Sequence, residues 1–482
     1  MNIFTLLKMS AECFPDRIAL TSGDAHISYG ELLQAAEGAA ERFRNSGCKY
    51  VSVIDVSSPA VPIALFGAAA AGLPYVPINY RLTVDEIQAL KERIEPAYIV
   101  TEDNRDNFIE ESLAFDGQAQ EPPEDPQAIA VQLFTSGTTG KPKAAVLRHE
   151  NLMSYILGSV EFASADEADA SLVSVPPYHI AGISAVMSSI YTCRRLVQLP
   201  NFDPVEWLRL VSEERVTTAF VVPTMLSRII ETMESQSTAR MPSLRAVAYG
   251  GGKMPVAVIR RALELFPEVA FTNAYGLTET SSTITLLGPD DHKLALASTD
   301  PLIRKRLGSV GKPLPTIEVQ IRDDDGTVLG SNLAGEVYVR GGQVSGEYLE
   351  RKAVQDDGWF PTRDKGYLDE FGYLYLDGRA DDVIVRGGEN ISPGEIEDVL
   401  LAHDSVADAC VVGIPDQDWG EAVAAAVVLK QGVQVNVDEL QTLVREQMRS
   451  SRVPGQIRFM QELPYNDMGK LLRRVVKEQL SQ

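Results

Sequence analysis

The residues best suited to phosphate chemistry lie in one short loop that follows an apolar segment. The loop reads Thr135-Ser136-Gly137-Thr138-Thr139-Gly140-Lys141-Pro142-Lys143. Hydroxyl groups can donate hydrogen bonds to phosphate oxygens, glycines let backbone N–H groups turn toward an anion, and lysines add positive charge. A flexible polar turn has a similar composition, so the rest of the chain must decide between the two. We predict that this loop binds phosphate.

The loop differs from the phosphate loop of P-loop nucleotide hydrolases. That pattern has four residues between its first glycine and the Gly-Lys pair, and a serine or threonine after the lysine. Here two residues separate Gly137 from Gly140, and Pro142 follows the lysine. The chain therefore fails both tests for the P-loop class.

Further segments rich in glycine, hydroxyl and charged residues follow along the chain. They are Pro77–Leu82, Pro176–Gly182, Asn273–Thr280, Arg363–Tyr367, Gly378–Asp382, Arg386–Ile391 and Met468–Lys470. Together with the phosphate loop, these segments and their order resemble the adenylate-forming superfamily, which contains acyl-CoA synthetases, adenylation domains and luciferases. The resemblance covers nearly the whole chain and is greatest to a free-standing acyl- or aryl-CoA synthetase.

The resemblance implies a reaction in two steps. A carboxylate attacks the α-phosphate of ATP to give an acyl-adenylate and pyrophosphate, and the acyl group then passes to a thiol. Because two anions must approach each other, a lysine, a magnesium ion and backbone dipoles are the useful catalysts. The expected participants are ATP, Mg²⁺, a carboxylic acid and CoA as the thiol substrate.

Three other functions share some or all of these motifs. The first alternative is a stand-alone adenylation enzyme that loads an acyl group onto the phosphopantetheine thiol of a carrier protein. A luciferase-like oxygenase is a second. A non-catalytic nucleotide-binding relative would most simply have lost Lys470 or Glu279, and both residues are present.

The resemblance assigns catalytic and ATP-binding roles residue by residue. Lys470 is expected to bridge the carboxylate and the α-phosphate, Glu279 to bind magnesium and Thr278 to contact the α-phosphate. Asp364 is expected to accept both ribose hydroxyls, and Arg379 to give a second ribose or phosphate contact. The other expected ATP-binding residues are Thr135, Ser136, Gly137, Thr138, Thr139, Gly140, Lys141, Gly251, Gly252, Asn273, Ala274, Tyr275 and Gly276. Within this set, adenine is expected against the glycines at 250–252, with Tyr275 stacked on its other face.

Two positions depart from the family pattern. Arg363 precedes Asp364 where glycine is usual, and Gly252-Lys253 stands where Ala-Pro is common. At Arg363 we expect only the local loop shape to change. At Lys253 we expect a slightly different adenine platform.

The acyl pocket is predicted from motif positions alone. Its expected residues are Tyr178, His179, Met225, Tyr249, Gly250, Gly276 and Ser281. His179 is also expected to gate the approach of the thiol, whereas His149 has a supporting role outside the pocket. The segment 178–184 has no acidic residue to hold an ammonium group, which disfavours an α-amino acid. No lysine or arginine stands out in the pocket, which favours a monocarboxylic acid of medium-chain or aromatic type.

The family resemblance also implies a mobile small domain. Asp381 matches the family's hinge, and a short side chain without β-branching tolerates the φ and ψ changes that a pivot requires. The small domain would first present Lys470 and then rotate so that Gly387 and Gly388 line a pantetheine channel. We therefore expect an ATP- and acyl-binding domain over 1–380 and a lid domain over 381–482.

The pattern of apolar residues predicts an α/β fold. Helical spacing over 29–46 and 255–265 alternates with short apolar strands such as 128–134 and 245–249. Strands separated by helices of this length indicate parallel α/β layers. We predict a large N-terminal domain of layered α/β subdomains, a β-rich appendage around 310–340, and a small α+β C-terminal domain.

Composition excludes several other classes of protein. Among 482 residues, 44 are Lys or Arg and 67 are Asp or Glu, which gives a net charge of −23. Such a surface repels nucleic acid and anionic lipid.

The four cysteines lie far apart and predict reduced core thiols. The beginning of the chain does not resemble a secretory signal, and prolines interrupt the longest apolar stretch, at 59–78, so we expect a cytoplasmic protein without a membrane span. The resemblance also implies a possible homodimer.

Overall fold

The computed structural model describes residues 1–135, 142–236, 241–379, 382–387, 389–466 and 471–481. The helices are α1 Phe4–Cys13, α2 Tyr29–Ser46, α3 Ala60–Ala71, α4 Val84–Glu92, α5 Arg105–Leu113, α6 His149–Ser159, α7 Ile180–Tyr191, α8 Pro204–Glu213, α9 Pro223–Gln236, α10 Val256–Leu265, α11 Pro289–Ala297, α12 Pro301–Lys305, α13 Pro393–Leu401, α14 Val437–Gln447 and α15 Arg473–Leu480. The strands are β1 Ile18–Ser22, β2 Ala25–Ser28, β3 Tyr50–Ile54, β4 Ala97–Thr101, β5 Ile129–Thr135, β6 Lys143–Arg148, β7 Ala170–Val173, β8 Arg195–Gln198, β9 Thr218–Val221, β10 Ala246–Gly250, β11 Ala270–Leu277, β12 Ser282–Leu287, β13 Lys312–Pro313, β14 Glu318–Arg322, β15 Gly335–Arg340, β16 Glu347–Tyr348, β17 Arg351–Lys352, β18 Phe360–Leu368, β19 Leu374–Arg379, β20 Ile384–Arg386, β21 Glu389–Ile391, β22 Val406–Asp416, β23 Gly420–Leu429 and β24 Gln456–Met460.

The largest sheet has nine strands in the order β13-β12-β11-β10-β9-β7-β8-β1-β2. Its centre is parallel, because β8 pairs with β7, β7 with β9, β9 with β10 and β10 with β11 in that sense. Helices connect these strands, which confirms the predicted parallel α/β layers. Parallel sheets are covered on both faces, and the carboxyl ends of their strands form one edge where ligands bind.

Local signals in the sequence explain where several helices begin and end. Helix α2 starts with a reciprocal capping box, in which Ser28 accepts from the backbone N–H of Glu31 and the Glu31 carboxylate accepts from that of Ser28. It ends at Gly47, which has a φ of 70°. Such a left-handed cap favours glycine, so helical spacing and caps agree over the predicted range 29–46. Helix α3 is buried along its whole length except at its last residue, as the apolar run at 59–78 predicts.

A second sheet, β17-β16-β6-β5, supports the phosphate loop. Strands β5 and β6 pair in antiparallel with the register Thr135↔Lys143, the first and last residues of the predicted phosphate loop. Tyr75 links this sheet to β3 through bridges with Val51 and Val131. The base of the loop is therefore held on both sides by regular structure.

The β-rich appendage is larger than the sequence pattern predicts. Its sheet has the order β14-β15-β18-β19, so it extends from Glu318 to Arg379 rather than ending near residue 340. The apolar side chains of Ile321, Val337 and Val339 are buried in its core. Strands β18 and β19 were missed because glycine and charged residues interrupt their alternation.

The C-terminal part forms a small α+β domain, as predicted. Strands β21, β20, β23 and β22 are joined in that order, and β24 pairs in parallel with β23. Helices α13 and α14 pack on one side with Ile396, Leu400, Leu440 and Val444. Helix α15 covers the other side through Val476 and Leu480.

The cysteine and membrane predictions have different outcomes. All four cysteines are free, as predicted, but only Cys193 and Cys410 are buried, whereas Cys13 is exposed and Cys48 is partly exposed. Across the parts of the chain that the structure describes, no helix is both long and apolar enough to cross a membrane.

Candidate active site

The phosphate loop is described only at its two ends. Ser136, Gly137, Thr138, Thr139, Gly140 and Lys141 lie outside the described residues. Thr135 ends β5, and its hydroxyl donates to the carbonyl of Lys143 at 3.4 Å. The Lys143 Nζ lies 5.9 Å from the centre of the Tyr348 ring. Strand β6 therefore places Lys143, the last residue of the predicted loop, next to β16.

The candidate magnesium ligand, Glu279, lies beside the same strand. Its carboxylate accepts a hydrogen bond from the Tyr348 hydroxyl at 2.5 Å. Its backbone carbonyl accepts from the N–H groups of Ser345 and Gly346, at 2.9 and 3.0 Å. Burial and the Glu279 carboxylate raise the pKa of Tyr348, so this phenol remains a proton donor. Thr278, the expected α-phosphate contact, is in the same short 3₁₀ turn.

Sequence reasoning missed Tyr348. It lies outside the segments quoted above, and only the pairing of β16 with β6 brings it to Glu279. A pairing between residues about two hundred positions apart has no local signal in a single sequence. Gly346, two residues before Tyr348, has a φ of 50° that favours glycine, but a glycine there does not identify Tyr348 as the partner of Glu279.

A second carboxylate is held by two residues that the sequence also selects. Asp364 is 6% exposed and accepts from the Tyr275 hydroxyl at 2.5 Å and from an Arg379 guanidinium nitrogen at 3.1 Å. Strands β18 and β19 place Asp364 directly opposite Arg379. Burial and the Asp364 carboxylate raise the pKa of Tyr275, which therefore stays protonated as a donor. Three of the expected ATP-binding residues thus meet at one point.

The backbone conformation of Arg363, the residue before Asp364, shows why glycine is the usual residue at this position. Arg363 has a φ of 64°, a left-handed conformation that favours glycine. Its side chain is 63% exposed and its Nε lies 3.9 Å from the Glu336 carboxylate. Arg363 therefore adopts the kind of backbone conformation for which glycine is the usual residue, at a steric cost of about 1–2 kcal/mol.

The residues predicted to form the adenine platform lie where β10 and β11 end. A Cβ at Gly250 would lie 2.2 Å from the carbonyl oxygen of Ala274, and one at Gly276 would lie 1.7 Å from that of Ser282. Side chains are therefore excluded at both glycines by the neighbouring backbone. Gly251 follows with a φ of 81°. Gly252 continues this exposed edge beside the partly exposed Ala274 and Tyr275.

Asn273 supports this edge from below. It is 8% exposed, and its side-chain amide donates to the carbonyl of Ser309 at 3.1 Å. This contact fixes β11 to the segment that leads into β13. One of the two side-chain N–H groups of Asn273 is therefore used within the protein, which gives this side chain a structural role in the sheet.

The predicted acyl-pocket residues lie in adjacent elements. The rings of Tyr178 and His179 are 4.6 Å apart between centres, and Tyr80 meets Tyr178 edge-on at 5.7 Å. Met225 is 6% exposed on α9. Ser281 is fully buried and has a φ of 56°, at the start of β12. The structure thus brings the rings of Tyr80, Tyr178 and His179 into one cluster, and the acyl pocket itself stays a prediction.

Tyr249 is anchored at the back of this region by a residue that the sequence does not single out. Its hydroxyl lies 2.8 Å from His292 Nε2, and both side chains are fully buried. His292 Nδ1 lies 2.7 Å from the carbonyl of Gly288, which can only accept, so Nδ1 carries the proton and Nε2 accepts from Tyr249. Burial lowers the pKa of His292, which agrees with a neutral ring.

His149 has a structural position away from these groups. It is 2% exposed, and its Nδ1 accepts from the backbone N–H of Ile3 at 3.3 Å. Burial lowers its pKa to about 4, and the nearby N-terminal amine contributes in the same direction. His149 thus supports the N-terminal segment rather than the pocket.

Several residues expected in the small domain or at its border are not described. Asp381, Gly388 and Lys470 lie outside the described residues. Gly387 has a φ of 57° and donates its N–H to the carbonyl of Trp419 at 2.8 Å. A Cβ at this position would lie only 2.7 Å from the Trp419 ring. Glycine is therefore required at 387 by its own domain.

The carboxylates present fit a magnesium ion that is shared with a phosphate ligand. Over the described ranges, no group of three histidine, cysteine or acidic side chains could hold a metal by itself. Magnesium is usually bound through one or two carboxylates together with substrate phosphates rather than by an all-protein cage. A single oriented carboxylate at Glu279, beside the base of the phosphate loop, fits that mode.

The fold and the order of these groups are those of adenylate-forming enzymes. A family model of AMP-binding enzymes matches residues 7–349, and a model of their C-terminal domain matches residues 395–470. The chain belongs to the AMP-binding enzyme family.

The relatives are similar over their full length. The chain is 32% identical to the 2-succinylbenzoate–CoA ligase of Bacillus licheniformis, over 97% of this chain and 98% of the relative. The o-succinylbenzoate CoA synthetase of Bacillus subtilis, solved with its acyl-adenylate intermediate, has a TM-score of 0.84 at 29% identity and covers 99% of this chain and 98% of its own. The amide bond synthetase McbA of Marinactinospora thermotolerans has a TM-score of 0.87 at 27% identity and covers 99% of both chains.

Proposed function

We propose that this protein is an ATP-dependent ligase that joins a carboxylic acid to CoA. It first forms an acyl-adenylate and releases pyrophosphate, and it then transfers the acyl group to the CoA thiol. The observation that carries the proposal is the meeting of Asp364, Tyr275 and Arg379 at one point. The full-length similarity to acid–CoA ligases supports it.

The chemistry of the described residues supports this reaction. Asp364 can accept from two ribose hydroxyls, since a carboxylate offers two oxygens with about four acceptor sites. The Glu279 carboxylate would hold magnesium, which supplies neutralisation of phosphate charge when it is bound. The exposed glycines Gly251 and Gly252 carry no side chain that would keep a flat ring from the end of β10.

The division of labour between domains is part of the proposal. Residues 1–380 would bind ATP and the acid, and residues 381–482 would act as the lid, with Asp381 as the hinge. Lys470 would compensate charge during adenylation, whereas Gly387 and Gly388 would line the path of the pantetheine arm. His179 would close the pocket against the thiol until the adenylate has formed.

We infer that the acid is aromatic. Aromatic side chains at Tyr80, Tyr178 and Tyr249 favour stacking or edge contacts with a ring. The similar ligases are named for 2-succinylbenzoate, an aromatic compound with two carboxylates. None of the pocket residues predicted above is a lysine or arginine that could pair with a second carboxylate. Aromatic monocarboxylates must therefore be tested beside 2-succinylbenzoate. The free cysteines and the substrates ATP and CoA suit a cytoplasmic location.

The decisive assay is pyrophosphate release with ATP and Mg²⁺ across a panel of carboxylic acids, with and without CoA, followed by mass detection. The panel contains benzoates, phenylpropanoids, 2-succinylbenzoate and fatty acids of medium length. An acyl-CoA product supports the proposal. Adenylate that is transferred only to a carrier protein or to an amine favours those acceptors instead. Absence of pyrophosphate release with every acid contradicts adenylation of this substrate range.

Substitution of the expected catalytic lysine separates the two steps. Lys470→Ala should slow adenylate formation by about 100-fold or more, because a charge aimed at the developing anion is lost. Thioester formation from a synthetic adenylate should change little. Lys430→Ala removes an exposed lysine of the same domain and serves as the control. Equal losses in both steps would contradict the role of Lys470.

A further inference from the structure

A lysine next to the adenine platform crosses to the small domain. Lys253 follows Gly252, and its Nζ donates to the carbonyl of Gly394 at 3.1 Å and to the Asp398 carboxylate at 2.8 Å. Gly394 and Asp398 lie in α13, the first helix after the expected hinge. Lys253 is one of the two positions where the sequence departs from the family pattern, so the contact uses a side chain that the common pattern does not supply.

The surrounding contacts show that Lys253 belongs to a packed interface. The Ser392 hydroxyl donates to the backbone carbonyl of Asp377 at 2.6 Å. Asp377 lies on β19, two residues before the end of that strand. A Cβ at Gly394 would lie 3.1 Å from Lys253 Nζ and 3.4 Å from that same carbonyl. Helix α13 therefore packs closely on β19. The Lys253 side chain contacts the same helix at Gly394 and Asp398.

The charges at this interface explain why a lysine is useful there. Asp398 and Glu395 project from α13, and Asp377 comes from β19. Glu395 pairs within its own domain with Arg452. The Lys253 side chain gives Asp398 a partner from the large domain, with 47% and 52% of the two side chains exposed. Since both ends are partly solvated, the pair can form and break without unfolding either domain.

We propose that Lys253 is a positioning residue that holds the small domain in this orientation through Gly394 and Asp398. This inference rests on the proposed function, because the two steps of that reaction require different orientations of the small domain. Loss of the contact lowers the population of the orientation seen here and leaves the chemistry of each step intact. An exposed ion pair of this kind shifts such a population by about two- to fivefold.

The kinetic test compares the rates of adenylate formation and of thioester formation from a preformed adenylate. Lys253→Met retains the aliphatic stem and removes the charge, and Asp398→Asn removes the partner. Each should change the ratio of the two rates by about two- to fivefold. The exchanged pair Lys253→Glu with Asp398→Lys should bring the ratio back toward that of the native protein. Lys293→Met, at an exposed lysine of α11, is the matched control and should leave the ratio unchanged.

A second measurement reads the orientation without any catalysis. Spin labels at Glu268→Cys in the large domain and Asp404→Cys in the small domain report the distance between domains. The background carries Cys13→Ser and Cys48→Ser, whereas Cys193 and Cys410 are buried and are left in place. Lys253→Met should broaden the distance distribution relative to the native residue and to Lys293→Met.

The two measurements distinguish failure of this inference from failure of the proposed function. Distance distributions that are the same with lysine and with methionine at 253 would overturn the inference, whatever reaction the enzyme performs. A rate ratio that does not change in either single variant, or that the exchanged pair does not restore, would also overturn it. A protein without adenylation activity that still shows the broadened distribution would overturn only the proposed function.

Discussion

The predicted nucleotide side and the predicted acyl side of the candidate site differ in whether their buried polar groups have hydrogen-bond partners. On the nucleotide side, Asp364 is already paired with Tyr275 and Arg379, and Glu279 is paired with Tyr348. Each carboxylate therefore has a fixed orientation before any ligand arrives. A ligand that binds there exchanges one set of hydrogen bonds for another.

The predicted acyl side contains buried hydroxyls that have no partner in the described part of the chain. Ser184, which lies on α7 one turn beyond His179, and Ser281 at the start of β12 are 4% and 0% exposed. Within the described residues, neither side-chain oxygen has a hydrogen-bond partner. A buried hydroxyl without a partner costs about 1–3 kcal/mol, so a substrate or water that reaches these oxygens recovers that cost. The nucleotide side is thus organised in advance, and the acyl side depends on what it binds.

The comparison is tested most strongly at Asp364. Asp364→Ala should weaken ATP binding by about 10- to 100-fold, because hydrogen bonds to a charged acceptor contribute about 1.5–3 kcal/mol and Arg379 and Tyr275 lose their partner. Isothermal titration calorimetry measures the effect. Asp356→Ala, at an exposed aspartate, is the control. An ATP affinity within twofold of the native protein would show that the preformed network does not bind ATP.

A smaller effect is expected at Tyr348. Tyr348→Phe keeps the ring and removes the hydroxyl that orients Glu279. We expect the Mg²⁺ concentration for half-maximal pyrophosphate release to rise about tenfold, the lower end of the usual cost of losing a residue that orients a metal ligand. Tyr338→Phe, a tyrosine whose ring packs against Arg322, should leave it unchanged. An unchanged requirement in Tyr348→Phe would mean that Glu279 is oriented by its backbone alone.

The sequence predicted those features that have a local physical cause. The helical spacing of α2 and the glycines at the end of β10 are visible in the sequence because residue type is linked to periodicity and conformation. Asp364 and Arg379 were found through family motifs, although their direct pairing needed the β18 and β19 register. Thus the fold class followed from the sequence, whereas the nucleotide-binding roles of these residues stay predictions.

What the sequence did not predict depends on contacts between distant parts of the chain. Tyr348 reaches Glu279 only because β16 pairs with β6, and His292 reaches Tyr249 only because α11 packs behind β10. Lys253 was expected to alter the adenine platform, yet its Nζ contacts the small domain. None of these pairings has a periodicity or a spacing that a single sequence reveals.

The smallest expected effect concerns Asp377, a partly buried carboxylate whose pKa is raised by burial. Burial, with a contribution from Glu395, raises its pKa from 3.8 to about 6, although Lys253, Lys305 and Arg452 oppose the shift. The folded protein therefore holds this proton more tightly than the unfolded chain does. As a result, ionisation of Asp377 lowers the free energy of unfolding as the pH rises from about 4 to 6.

Asp377→Asn should remove that cost, because the amide does not ionise and the backbone carbonyl that accepts from Ser392 is retained. We expect a gain of about 1–2 kcal/mol at pH 7, less than the full shift implies because the carboxyl is partly solvated, and no gain below about pH 4. Urea unfolding at the two pH values measures it, with Asp356→Asn as the exposed control. The same gain at both pH values would assign the effect to packing rather than to charge.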